Sequence, residues 1–88
     1  MSLSNILFAD NLPKIDLHGL DRETARVFVT DFINEQKKLK NNVFIIVHGI
    51  GSGILRSTTL DTLKKNKLVI EFQTSFFNPG CTIVKIKL

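Results

Sequence analysis

The sequence has a single cysteine, Cys81, so no internal disulfide can form. A lone thiol fits a reducing compartment and excludes the disulfide-stapled class of small secreted domains. No apolar run approaches the ~20 residues needed to cross a bilayer. Met1-Ser2-Leu3-Ser4-Asn5 lacks the positive flank of a secretory signal, and Ile6-Leu7-Phe8-Ala9 is too short for its apolar core. These absences give a cytoplasmic location as the expectation. There is no internal repeat, low-complexity tract or interdomain linker, so 88 residues are read as one domain. Acidic residues are also scarce, but only in one half. Residues 1–36 carry three basic and six acidic side chains, a balance of −3, whereas residues 37–88 carry nine basic and two acidic ones, a balance of +7. A basic half in a small domain points to polyanionic partners, most simply nucleic acid; a solvated lysine-rich surface is the other reading of the same charge.

What is present begins with a hydrophobic content of 43% and seven Phe, which argue for a packed globule and against disorder. The most apolar run is Val43-Phe44-Ile45-Ile46-Val47, and it leads directly into His48-Gly49-Ile50-Gly51-Ser52-Gly53. A helix-like segment opens at Ile54-Leu55-Arg56. A buried strand, alternating glycines and then a helix start make a phosphate-binding arrangement. Glycine lets backbone N–H groups approach an anion, and the helix start adds unpaired donors and the positive end of its dipole. Glycine-rich turns of this kind also occur for packing reasons. Arg56 stands in the first helical turn, where a cation is locally unfavourable, so it is read as serving something else, such as a phosphate; a surface arginine without a role is the other reading.

Along the chain, residues 1–13 read as an N-terminal arm, with Asp10, Asn11 and Pro13 as turn residues. Ile6, Leu7 and Phe8 could pack back on the body. Lys14-Ile15-Asp16-Leu17-His18-Gly19 reads as a short strand ending in a turn. Its period of two places Asp16 and His18 together, near the strand's carboxyl end. That pair suits an Asp orienting a His, or two contacts to one substrate; a polar outer face with a hydrogen-bonded His is the structural alternative. Asp21 is the expected N-cap of a helix over residues 22–40, with Glu23 favourable to its dipole and Leu20 and Ala25 forming a hydrophobic staple. The stripe Ala25, Phe28, Val29, Phe32, Ile33, Gln36 and Leu39 gives that helix its core face, and Asn41-Asn42 ends it.

A second helix is predicted over residues 54–65, with Leu55, Thr59, Leu60 and Leu63 inward and Asn66 as its stop. Residues 68–74 and 81–88 read as strands joined by the turn-rich Phe76-Phe77-Asn78-Pro79-Gly80, hence antiparallel. The order is β-α-β-α-β-β, a mixed four-stranded sheet with two helices on one face, an α+β two-layer sandwich. The strand-helix-strand connection is right-handed, so the first two strands run parallel. Their carboxyl ends, His18-Gly19 and His48-Gly49, then lie on one rim, where open α/β sheets bind ligands.

At this point the residues resemble a family. Ile15-Asp16-Leu17-His18-Gly19-Leu20, with Glu23 and Ala25, is similar to the opening motif of the Smr (small MutS-related) domain. His48-Gly49-Ile50-Gly51-Ser52-Gly53-Ile54-Leu55-Arg56 is similar to its second motif, and Gly80 to Leu88 to its closing segment. The resemblance covers residues 14–88. It implies a sandwich like the C-terminal domain of translation initiation factor three, and nucleic-acid binding, often with endonuclease activity on DNA or RNA. It implies cleavage at Asp16 and His18. It implies nucleic-acid contact at His48, Gly49, Gly51 and Gly53, with Arg56 alongside. Family members occur alone or appended to a MutS paralogue, and some act on ribosomes or messenger RNA. The closing turn departs from the family pattern, with Asn78-Pro79-Gly80-Cys81 in place of a longer glycine stretch.

Two functions are therefore weighed. One is an endonuclease in which His18 is general acid or base, oriented by Asp16, while Arg56 and His48 offset charge on the phosphate. The other is a non-catalytic module for RNA, DNA or a ribosomal surface. Either Asp16 or His18 could hold a divalent metal, but two His, one Asp and a distant Cys form no recognisable ligand spacing, so metal dependence is open. No small-molecule cofactor is expected. Gly49-x-Gly51-x-Gly53 has the wrong spacing for the dinucleotide fingerprint, and the P-loop Lys-Ser/Thr pair is missing. Cys81 is read as a strand residue, not a nucleophile.

Overall fold

The computed structural model describes residues 11–75 and 78–88. The expectations placed on Ile6, Leu7, Phe8, Phe76 and Phe77 lie outside the described residues. The elements run β1 (Lys14–Asp16), α1 (Arg22–Lys38), β2 (Val43–Val47), α2 (Ile54–Lys65), β3 (Val69–Thr74) and β4 (Cys81–Ile86). This is the order and type expected from the sequence pattern.

The sheet order is β1-β2-β4-β3. β1 and β2 pair in parallel, and β4 is antiparallel to both β2 and β3. β2 is thus an interior strand, as its two apolar faces require. It is flanked by a parallel strand on one side only, because the hairpin folds β4 back between β2 and β3. The alternation along β2 divides the molecule. Phe44 and Ile46 pack with Leu17, Ala25, Val29, Ile33, Leu63, Val84 and Ile86 in the core beneath the helices. Ile45 joins Ile83 in a smaller apolar cluster with Leu12, Val43, Val47 and Cys81. Phe32 meets Phe44 edge to face at 5.2 Å, which fixes α1 over β2.

The two helices start differently. α1 has a side-chain cap: the Asp21 carboxylate accepts the Thr24 N–H at 2.8 Å, which holds its pKa below the usual carboxylate value. α2 is capped by Gly53 in the left-handed region (φ 84°), and no side chain caps it. The Ser52 hydroxyl reaches the Ile54 N–H only at 3.5 Å. The first-turn donors of α2 are therefore available to something outside the protein.

α1 ends two residues before the expected boundary. Lys40 adopts φ 61°, its N–H bonds the Lys37 carbonyl, and the Asn41 N–H bonds the Gln36 carbonyl. That is the Schellman closure, with lysine in the place usually held by glycine. The burial of α1 also differs from the expected stripe. Ala25, Val29, Ile33 and Gln36 are buried, but Phe28 and Leu39 stand on the exposed flank at 44% and 59%. α2 turns three threonines inward, Thr58, Thr59 and Thr62, together with Leu63.

Candidate functional site

The rim begins with register. Asp16 pairs with Val47, and the Leu17 N–H donates to the Val47 carbonyl at 2.8 Å. The two chains therefore leave the sheet side by side, one into His18-Gly19 and the other into His48-Gly49. Both turns rely on a glycine in the left-handed region, Gly19 at φ 82° and Gly49 at φ 78°. Across the sheet the same rim continues through Cys81 of β4 to Thr74 of β3, since Val47 pairs with Cys81 and Thr74 with Thr82. Four strands at about 4.8 Å spacing make it roughly 14 Å long.

At the β1 end, Asp16 and His18 are both exposed. The Asp16 Oδ1 accepts the backbone N–H of His18 at 2.9 Å. The carboxylate thus shapes the turn that carries His18. The expected carboxylate-to-imidazole contact is absent among the described residues, and the His18 ring is left open to solvent.

The glycine loop is held from beneath. His48 is 5% exposed, and its ring is turned into the protein. Its Nδ1 lies 3.0 Å from the Gly49 carbonyl and its Nε2 lies 2.8 Å from the Thr82 hydroxyl. A carbonyl only accepts, so Nδ1 carries the proton and Nε2 accepts from Thr82. Both ring nitrogens are spent inside the fold. The sequence placed His48 in direct contact with nucleic acid; the structure places its ring as a strut under the loop, bonded to Gly49 and Thr82. Burial, opposed by the Gly49 contact and helped by the Arg56 charge, lowers the His48 pKa below its ordinary value. The fold favours the neutral ring, so the unfolded chain binds the extra proton first. Stability is then complete above about pH 6.5 and falls as the pH drops through the depressed value. Urea denaturation at a series of pH values should show this loss, and it should vanish in His48→Gln; an identical slope in the variant would place the titration elsewhere.

The closing turn completes the support. The Gly80 carbonyl accepts both the His48 and Gly49 N–H groups at 2.9 Å. A Cβ on Gly80 would lie 3.3 Å from the Gly49 Cα, so a side chain there would press on the loop backbone. Asn78 shapes the turn by accepting the Gly80 N–H at 2.9 Å. The shortened Asn78-Pro79-Gly80 segment thus clamps the glycine loop to β4. Arg56 reaches along the rim to the Thr74 hydroxyl at 3.2 Å and remains exposed. Gly49, Gly51 and Gly53 face open space, and a Cβ added at any of them would meet no atom within 4 Å. Cys81 sits behind the rim, and burial pushes its thiol pKa up, which suits a structural residue. No group of three His, Cys, Asp or Glu residues able to hold a metal occurs among the described residues.

Of the residues singled out in the sequence, the rim gathers Asp16, His18, Gly49, Gly51, Gly53 and Arg56, with His48 behind them. Thr82, Gly80 and Thr74 were missed. One signal for the His48–Thr82 pair was available: His48 continues the alternation of Phe44 and Ile46, the inward face of β2.

These features define a class, a small two-layer α/β domain with an open glycine loop at the carboxyl rim of its parallel strand pair. Comparison with known proteins narrows it. The Smr domain profile matches residues 15–87, and the chain belongs to this family. It is 38% identical over 78 residues to "Endonuclease MutS2" of Streptococcus suis (strain 05ZYH33), covering 84% of this chain and 10% of that protein. It is 36% identical over 78 residues to "Endonuclease MutS2" of Ligilactobacillus salivarius (strain UCC118), covering 85% and 10%. The chain thus spans about a tenth of the length of the curated relatives it matches. The crystal structure of the Smr domain of Thermus thermophilus MutS2 superposes with a TM-score of 0.84 at 26% identity, covering 88% of this chain and all of that one. YdaL, a stand-alone small MutS-related protein from Escherichia coli, shares the fold with a TM-score of 0.81 at 21% identity, over 85% of this chain and 64% of YdaL. No helix among the described residues is long and apolar enough to cross a membrane.

Proposed function

We propose that this Smr domain binds nucleic acid along the rim and cleaves phosphodiester bonds there as an endonuclease. The observation that carries the reading is the register that puts Asp16 beside Val47, and so the His18 turn beside the glycine loop. The sugar-phosphate strand lies over Gly49, Gly51 and Gly53, with a phosphate at the uncapped start of α2. Arg56 supplies the adjacent positive charge and offsets the charge that develops on the phosphate oxygens. His18 is the exposed general acid or base, and Asp16 positions it through its backbone N–H. His48 works from below, holding the loop in its binding shape. The names of the MutS2 relatives support the nuclease class. A cytoplasmic setting accords with a free thiol, and residues 14–88 form the functional unit with residues 1–13 as an arm.

A binding-only reading, for DNA, RNA or a ribosomal surface, is favoured by one observation: the Asp16 carboxylate serves the turn, not the His18 ring. Incubating the purified protein with labelled DNA and RNA, with and without divalent metal, separates the two. Under the nuclease reading, cut products accumulate. Binding without cuts supports the module, and flat salt dependence of binding contradicts both readings.

A further inference from the structure

One flank of α1 faces α2, with Arg26 and Thr30 set across a cleft from Asp61, Thr62 and Lys65. The other flank overhangs β1, the edge strand of the sheet. There Ile15, Phe28, Asp31, Phe32 and Glu35 line an open groove of about 210 Å³. Leu39, the C-cap of the helix, continues the same stripe. At about 3.6 residues per turn it falls on the side of Phe28, Phe32 and Glu35, and Lys38 lies beside it. Phe28 is 44% exposed and Leu39 59%, so both ends of the stripe leave apolar surface in water. We infer that this stripe is the interface of a twofold dimer, in which α1 packs antiparallel on α1 of a second copy of this chain. The inference goes beyond the nucleic-acid reading and does not depend on it.

The pattern of charge and apolar surface selects the occupant. A twofold interface uses the same patch on both copies, so the patch must complement itself when inverted. This stripe does. Its N-terminal half carries Phe28 and Asp31, and its C-terminal half carries Lys38 and Leu39. A twofold axis near residue 34 brings Phe28 opposite Leu39 of the second copy, and Asp31 opposite Lys38 of the second copy. The registers that suit these two pairings differ by about 3 Å along the helix, well within side-chain reach. Asp31 and Lys38 are exposed and have no ion-pair partner among the described residues. Antiparallel helices also set opposite ends of their dipoles side by side. Glu35 falls close to the axis and faces its own copy, which opposes the pairing. With so small a patch, the dimer belongs to the weak, concentration-dependent class. The N-terminal arm fits the stripe less well, because residues 1–10 contain no cation to meet Asp31 or Glu35. A nucleic-acid strand is repelled by the same two carboxylates. Since α1 starts beside the rim, antiparallel pairing sends the two rims to opposite ends of the dimer and leaves both open.

Sedimentation equilibrium of the full chain, loaded at low salt from about 10 µM to about 1 mM, tests the pairing. The average mass should rise from that of one chain toward that of two, with a dissociation constant on the order of 100 µM. Leu39→Ser removes an exposed apolar contact and should raise that constant about tenfold. The charge swap is the sharper comparison. Asp31→Lys and Lys38→Glu each set like charges against one another across the axis, and each should weaken the dimer roughly threefold to tenfold. The double variant restores opposite charges and should return the constant to its starting value. Glu35→Gln should tighten the dimer. All of these side chains are exposed, so thermal melting should be nearly unchanged and folding is not in question. A single-chain mass at about 1 mM would overturn the inference, and so would a double variant as weak as either single one. A monomer whose Phe28 amide resonance moves in Phe8→Ser would assign the stripe to the N-terminal arm and overturn it equally.

Discussion

His18→Ala should abolish nucleic-acid cleavage while leaving binding and folding nearly untouched. A positioned acid or base contributes about 10²–10⁴ in rate, so the residual activity should lie that far below the starting level. The ring is exposed and makes no hydrogen bond among the described residues, so its loss should change stability by no more than about 0.5 kcal/mol. In the proposed mode, binding rests on the loop, the start of α2 and Arg56, none of which the substitution touches. Single-turnover cleavage of labelled DNA and RNA, read beside anisotropy, separates the two quantities. Asp16 divides further. Asp16→Asn keeps an oxygen to accept the His18 N–H and removes only the charge, whereas Asp16→Ala also releases the turn. If Asp16 works by positioning, Asn should retain most of the activity and Ala should lose it. Cleavage that survives His18→Ala would take His18 out of the mechanism.

Gly53→Val should weaken both the fold and the binding. Gly53 sits at φ 84° as the cap of α2, and a β-branched residue there costs on the order of 1–3 kcal/mol. A domain of 88 residues has a total stability of only about 4–13 kcal/mol, so the melting temperature should fall by several degrees. The displaced helix start takes its N–H groups out of position, and affinity for a labelled strand should fall by about tenfold or more, on the scale of 1.4 kcal/mol per decade. Gly51→Ala is the cleaner partner. Gly51 has no positive φ, and a Cβ there would meet nothing within 4 Å. The free protein therefore tolerates the methyl, with stability within about 0.5 kcal/mol of the original. The strand, if it lies on the loop, does not. Stability retained with affinity lost is the expected pair of results for Gly51→Ala. Unchanged affinity would mean that the strand passes elsewhere.

Much of this architecture was legible because local signals agreed. Asp21 ahead of Glu23, with Leu20 and Ala25 as a staple, named the cap, Gly53 and Asn66 bracketed α2, and the period-two runs named the strands. The parallel pairing of β1 with β2 then followed from chirality alone, and with it the shared rim. What stayed hidden depends on contacts between residues far apart in sequence. The ring of His48 is governed by Thr82, and the loop backbone by the carbonyl of Gly80, both reached only because β4 folds back beside β2. The loop glycines pointed to an anion site, and the alternation through Phe44 and Ile46 turned the adjacent histidine inward, but nothing local showed which group it would meet there. Phe28 was misplaced because it lies on the edge of the apolar arc, where one helical position decides between core and solvent.

The central claim is that a nucleic-acid strand lies across the rim where the two parallel strands end. Titrating an isotope-labelled sample with a short oligonucleotide, and following the backbone amides by NMR, tests it most directly. The amides of residues 16–19 and 49–57 should shift together and saturate at one affinity, while those of residues 37–42 and 64–68, at the opposite end of the helices, stay still. Shifts confined to that opposite end, or none at the glycine loop on saturation, would contradict the account.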